Sequence, residues 1–207
     1  MCHHFFLKAN ALHLKEYLQA QNSLDCSFPD VGFFPLAEVP ILRCNQQGER
    51  ELISSQWGLL PFWWKSSPRH KTRKAFQRMT FNARSETIDE KPTYREAFKS
   101  RRCIIPASQF VEKGELFEVA SQPLMLLAGL WEQWSFENEQ INSCTILTTN
   151  ANPLVARYHP RKRMPVILPD ERAVETWLSP DIVSRAPLEH LFLPFPENEM
   201  THHPIAQ

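Results

Sequence analysis

The residues best placed to do chemistry stand at the very start of the chain. Cys2 follows Met1, and a small second residue lets an initiator methionine be trimmed. Trimming leaves an α-amine and a thiol on adjacent carbons. The amine has a reference pKa of about 7.7–8.0 and the thiol about 8.5, so both are partly nucleophilic near neutral pH. An amine condenses with an aldehyde to a Schiff base, and the adjacent thiol can then close a five-membered thiazolidine. That chemistry needs no cofactor. A Met-Cys start is in most chains an accident of translation, so other residues must supply the context.

Four further side chains could supply it. Asn82 and Arg84 are separated by one residue and share one side of an extended strand. The first offers a neutral amide donor and acceptor, the second a bidentate fork for phosphate. A turn with a surface ion pair is the plain alternative. Glu112 ends an apolar strand after Phe110-Val111. Such a carboxylate is more often a solvated hairpin residue, but if buried its pKa rises into the range useful for proton transfer. His159 is a lone loop histidine, usually without a role, yet it borders a basic patch with Arg161 and could shuttle a proton near neutral pH.

A possible binding surface accompanies them. Trp57-Gly58-Leu59-Leu60-Pro61-Phe62-Trp63-Trp64 runs into the basic segment Lys65, Arg69, Lys71, Arg73, Lys74 and Arg78. The rings could simply plug a core. Beside cations they also suit single-stranded nucleic acid, where each base stacks on a ring for about 1–3 kcal/mol while phosphates follow the charge. We expect Trp57 in the core, and Trp63 and Trp64 exposed. His3-His4 and His202-His203 suggest a metal, but adjacent histidines point apart in a strand and rarely chelate one ion. No metal or cofactor is expected.

The bulk numbers exclude several classes. At 207 residues and 43% hydrophobic composition the chain can bury one sizeable core, and no apolar run approaches a membrane span. The first residues have neither a basic region nor a continuous apolar stretch, so no secretory signal is expected. Five scattered cysteines without a C-x-x-C pair suit reduced thiols in a cytoplasm. Net charge is zero, yet cations crowd three segments and acids concentrate after residue 169, a pattern that can build a local anion groove or merely an ordinary ion-paired surface.

The elements that must position these groups are mostly short strands. Asn10 caps a helix expected to residue 20, and Pro29, Gly32 and Pro35 mark residues 21–35 as an irregular loop. Strands are expected over 39–44 and 51–60, joined by Gln46-Gln47-Gly48. A helix over 93–100 leads to a buried strand at 101–106, then to the strand carrying Glu112 and a Lys113-Gly114 turn. Further strands are expected over 123–134, 143–149 and 166–168, with helices after Asn152-Pro153, over 170–178 and over 179–190. The proline-rich tail from about 194 to 207 reads as mostly coil.

Taken in order, several stretches resemble the SRAP (SOS-response-associated peptidase) family, proteins that crosslink themselves to abasic sites in single-stranded DNA. They are Met1-Cys2, the Trp57–Trp63 run, Asn82-Ala83-Arg84-Ser85-Glu86-Thr87, Arg102-Cys103-Ile104-Ile105-Pro106-Ala107-Ser108, Ala128-Gly129-Leu130-Trp131, Ile146-Leu147-Thr148-Thr149 and Arg163-Met164-Pro165-Val166-Ile167-Leu168. No single piece is decisive; the ordered set, spanning nearly the whole chain, is specific.

The resemblance implies one α+β domain over residues 1–207, compact around a curved antiparallel, barrel-like sheet with flanking short helices. It places the family's catalytic residues on Cys2, Asn82, Glu112 and His159, and DNA contacts on Trp63, Trp64, Arg84 and Arg161. The family's Cys-Gly-Arg start is here Cys2-His3-His4, so His4 stands in only partly for a DNA-contacting arginine. No tryptophan follows Glu112, and the His159-to-Arg163 spacing is longer than in the shortest members. The implied partner is single-stranded DNA with an abasic site. The implied protein is a monomer, cytoplasmic and on the nucleoid after damage, with autoproteolytic loss of Met1 and lyase-like character. Its rivals are a cysteine peptidase acting on peptides, with Cys2 as nucleophile and His159 as base, and a non-catalytic single-strand binding module.

Overall fold

The computed structural model describes residues 2–22, 24, 32–68 and 70–205. Met1, Arg69 and part of the expected loop at 21–35, including Pro29, lie outside the described residues. In chain order, β1 (Phe5–Phe6) precedes α1 (Ala11–Tyr17), which Asn10 caps by accepting from His13 N at 2.8 Å. The hairpin β2 (Glu38–Cys44) and β3 (Arg50–Trp57) follows, then α2 (Arg73–Gln77), β4 (Asn82–Arg84) and α3 (Arg95–Ser100). Next come β5 (Arg102–Ala107), β6 (Gln109–Glu112) and β7 (Glu115–Val119), and two long strands, β8 (Met125–Phe136) and β9 (Glu139–Asn150). The chain ends with α4 (Pro153–Ala156), β10 (Arg163–Pro165), β11 (Ile167–Leu168), α5 (Glu171–Leu178) and β12 (Met200–Pro204).

Five of these strands close on themselves in the order β9-β3-β2-β5-β8-β9. The expected barrel-like α+β fold is therefore present, with one refinement. Closure is made by a parallel pair, Gln56 and Trp57 of β3 against Ser143 and Cys144 of β9, so the barrel is mixed. Small barrels are filled by side chains rather than hollow, and Ile41, Leu52, Ile105, Leu127 and Ile146 are fully buried. Gly129 is required there: a Cβ would lie 2.1 Å from Ile105 Cδ1 and 2.8 Å from Thr145 O.

Two additions to the barrel matter for function. β4 joins β9 in parallel, with Asn82 opposite Ile146. A second, four-stranded sheet, β1-β6-β7-β12, brings the segment before β1 alongside the strand that ends in Glu112. Its last strand corrects the tail expected as coil: residues 200–204 pair antiparallel with β7. The helix expected over 179–190 is also corrected. Only a 3-10 segment, Ala186–Phe192, forms, buried through Leu188, Leu191 and Phe192.

The aromatic run divides. Trp57 is fully buried and donates from Nε1 to Phe81 O at 2.7 Å, as expected of a core residue. Trp63 is 44% exposed. Trp64 contradicts its expected exposure. It is 8% exposed, packs with Leu60, Phe76 and Trp134, and accepts at its carbonyl from Trp134 Nε1 at 3.0 Å. Phe76 comes from α2 and Trp134 from β8, so a two-residue view of Trp63-Trp64 could not separate the rings.

Candidate active site

Cys2 is held at the meeting of the barrel and the second sheet. Asn82 leaves β4 pointing at the N-terminal segment, and its Nδ2 donates to Cys2 O at 2.7 Å. β4 is set by Trp57 Nε1 on Phe81 O, by Thr148 Oγ1 on Ala83 O at 3.2 Å, and by Tyr94 Oη on Asn82 O at 3.4 Å. The N-terminal segment continues the second sheet, because His4 O accepts from Val111 N at 2.9 Å. That pairing lays Cys2 beside Glu112. Asn82 Oδ1 is buried and, among the described residues, makes no hydrogen bond. An acceptor so placed suits a hydroxyl or ammonium entering the site, because an unmet buried acceptor is costly.

Glu112 and His159 face each other across the site, with His159 Nε2 3.5 Å from Glu112 Oε2. Glu112 ends β6 just before the Lys113-Gly114 turn, where both residues take positive φ. His159 follows α4, whose N-cap Asn152 accepts from Val155 N at 2.9 Å. The loop after it curls over the imidazole. His159 Nδ1 accepts from the backbone N–H of Arg161 at 3.0 Å and of Arg163 at 3.2 Å. With Nδ1 an acceptor twice over, a neutral ring carries its proton on Nε2, facing Glu112.

The electrostatics fit that assignment. Burial, with Arg161 and Arg163 nearby, lowers His159 to about 4, so the ring is neutral at physiological pH. Burial raises the Glu112 carboxyl above its ordinary value, opposed by the nearby charges of His3 and Lys113. Burial pushes the Cys2 thiol up to about 12; its bond to His4 O works against this and the Glu112 charge adds to it. Cys2 is thus a protonated thiol in the resting site. The structure thereby brings Cys2, Asn82, Glu112 and His159 together from four separate stretches of the chain.

The residues expected to bind DNA are more dispersed. Arg84 ends β4 exposed, two residues from Asn82, and Arg161 is exposed in the loop that covers His159. Half-buried His4 stacks on Phe34 with ring centroids 4.1 Å apart and tilts against Phe6 at 4.6 Å. It therefore presents a ring, not an arginine-like fork. Phe62, in the aromatic run, is exposed beside Trp63, and Phe34 is an exposed aromatic that sequence reasoning did not single out.

Sequence reasoning also missed a pair that ties the site together. Arg163 grips Glu86 through both guanidinium nitrogens, Nη1 on Oε1 and Nη2 on Oε2, and donates from Nη2 to Thr148 O at 2.5 Å. Burial raises Glu86, but Arg163 overrides it and holds the carboxyl below its ordinary value. The bridge fastens the turn after β4 to the loop around His159. Both residues sit in the stretches that carry the family resemblance, but nothing in their spacing pairs them.

A mixed five-stranded barrel with an N-terminal cysteine beside an asparagine, a buried carboxylate and a neutral histidine defines a cysteine site of a particular kind. The chain belongs to the SRAP (SOS response associated peptidase) family, whose family model matches residues 1–207. It is 36% identical over 201 residues to the abasic site processing protein YoqW of Bacillus subtilis, covering 90% of this chain and 85% of that one. It is 28% identical over 213 residues to the abasic site processing protein HMCES of Xenopus tropicalis, covering 86% of this chain and 61% of the longer protein. A crystal structure of a Bacteroides thetaiotaomicron protein matches with TM-score 0.88 at 27% identity, over 99% of this chain and 92% of that one. One from Bordetella bronchiseptica matches with TM-score 0.81 at 28% identity, over the full length of both.

Proposed function

We propose that this chain processes abasic sites in single-stranded DNA by joining itself to them through Cys2, and that Met1 is first removed by the protein's own site. The bond from Asn82 Nδ2 to Cys2 O, set beside the Glu112–His159 pair, is the observation that carries this reading. It fixes the backbone of the residue whose amine and thiol must meet one aldehyde carbon.

The freed Cys2 amine attacks the open-chain aldehyde at C1′, forming a C–N bond. The resulting carbinolamine loses water to give the imine. The thiol then adds to the imine carbon, forming the C–S bond while its proton passes to the nitrogen, so the overall change releases one water. Glu112, held protonatable by burial, carries protons to and from the nitrogen and the departing hydroxyl. His159 donates from Nε2 to the sugar oxygen during ring opening. Asn82 Oδ1 takes a hydroxyl or the ammonium. The amine acts first because the thiol is held well above neutral pH. Reversal by the same groups takes up one water and restores the amine, thiol and aldehyde, while the lyase-like character would come from the imine, by loss of a C2′ proton and departure of the 3′ phosphate.

The remaining contacts are assigned by exposure and charge. Trp63 stacks on a base, Arg84 and Arg161 take phosphates, and His4 offers a ring where the family carries arginine. The protein acts as a monomer, in the cytoplasm and on the nucleoid after damage. No helix among the described residues is long and apolar enough to cross a membrane. A thiol peptidase for peptides is disfavoured because His159 Nδ1 is committed to the backbone and Nε2 faces a carboxylate, not Sγ.

Intact mass spectrometry tests the proposal. The purified protein should lack Met1, and incubation with an abasic oligonucleotide should add the mass of that strand less one water. A protein that keeps Met1 quantitatively, or stays at its own mass with the abasic strand, contradicts it.

A further inference from the structure

The C-terminal strand touches both elements that carry the Glu112–His159 pair. β12 lies on β7 with His202 opposite Phe117 and Pro204 opposite Glu115. Just beyond it, Ile205 N donates to Gly114 O at 2.8 Å, at the tip of the hairpin that sets Glu112 opposite Glu115. On the other flank, the α4 cap Asn152 donates from Nδ2 to Phe195 O at 2.7 Å and lies 3.2 Å from Met200 Sδ.

His202 joins the two flanks. Its Nδ1 is 2.9 Å from Glu115 Oε2. Its ring stacks on Phe117 with centroids 5.6 Å apart and meets the Tyr158 ring at 5.1 Å. Phe117 stacks in turn on Phe110 at 5.1 Å, two residues before Glu112. Tyr158 directly precedes His159. An imidazole suits the place because its face stacks while its edge nitrogen bonds a carboxylate. Phenylalanine could do only the first, and asparagine only the second.

We propose that His202 is a positioning residue that pins the hairpin carrying Glu112 to the helix end carrying His159, and so sets the 3.5 Å separation of that pair. The proposal rests on reading Glu112 and His159 as the proton-handling groups. Neither Cys2 nor DNA need touch His202 for it to act. A displacement of about 1 Å in a reacting pair can cost about a hundredfold in rate, so a loosened pin should be visible.

The test compares His202→Ala, His202→Phe, His202→Asn and the exposed neighbour His203→Ala in the full chain. Three readouts are taken: crosslinking rate at saturating abasic strand, binding to the intact strand, and titration of His159 by its imidazole NMR signals. His202→Ala should slow crosslinking by about tenfold or more, within the range of misplacement effects, with binding to the intact strand unchanged. Its His159 midpoint should rise from about 4 towards the ordinary 6.5. The Phe and Asn variants should each recover part of the rate, and His203→Ala should match wild type. An unmoved rate and an unmoved titration in His202→Ala overturn the proposal. So does a slower rate that tracks lost binding and lost thermal stability, with no recovery in either conservative variant. Absence of crosslinking in wild type counts against the Cys2 reading instead, and the titration still decides the positioning role.

Discussion

His159 presents its Nε2 to Glu112 at 3.5 Å while its Nδ1 is closed off by two backbone N–H groups. The pair is buried and tuned in opposite directions, the imidazole downward and the carboxyl upward. Stability should report this. His159 falls from 6.5 unfolded to about 4 folded, so the unfolded chain takes up its proton first on acidification. Its contribution is whole above about pH 6.5 and is lost as pH falls towards about 4, with a ceiling on the order of 3 kcal/mol. The raised Glu112 has the reverse sign: its contribution is whole below the ordinary value of 4.5 and declines as pH rises. Urea unfolding of wild type and His159→Gln across this interval separates the two. The variant should lose less stability on acidification, and an identical slope would show that His159 is not buried neutral.

The two adjacent tryptophans should behave as different kinds of residue. Trp63→Ala is expected to leave folding intact and to weaken single-strand binding by about 1–3 kcal/mol, the range for one stacked base. Trp64→Ala empties a cluster with Leu60, Phe76 and Trp134 and should destabilise the fold by about 3–5 kcal/mol. Thermal melts paired with fluorescence anisotropy read both. Equal effects of the two substitutions on binding, with no difference in stability, would return Trp64 to the DNA surface.

Arg84 separates phosphate contact from reaction. Arg84→Ala should weaken binding to intact and abasic strands alike and reduce the slope of log affinity against log salt by about 0.7, the value for one phosphate on a single strand. A defect confined to crosslinking rate, with the salt slope unmoved, would place Arg84 in the reaction centre.

Strands with clear apolar runs and turn residues were legible in the sequence, as were the caps Asn10 and Asn152, because those signals are local. The parallel closure of β3 on β9 was not, since it joins segments far apart in the chain by hydrogen bonds with no side-chain signature. The prolines at 194, 196 and 204 hid β12: they punctuate like coil, yet Pro204 sits at the strand's end. Ser179-Pro180-Asp181 reads as a helix start, but only 3-10 turns form, and not before residue 186. The four residues of the candidate site were each suspected from their type and neighbours. Their meeting was expected only through the family resemblance, because Cys2 and Asn82 are joined by one side-chain bond across 80 residues.

Cys2→Ser keeps the amine and removes the sulfur. It should still form an imine with the abasic aldehyde, trapped by borohydride, but the untrapped adduct should decay on heating. Adducts from the serine variant as durable as wild type on a denaturing gel would contradict ring closure.

The Cys2 amine itself is tested most directly by blocking it. An uncleavable extension ahead of Cys2 converts the amine to an amide, whose lone pair is lost to resonance, while Trp63, Arg84 and Arg161 lie elsewhere in the chain. Crosslink yield and equilibrium binding should be measured on the same blocked protein, with its mass confirming the extension. Binding to an abasic single strand should persist while the covalent adduct disappears. Full crosslinking by protein that demonstrably retains the extension would mean that the Cys2 amine is not the attacking group.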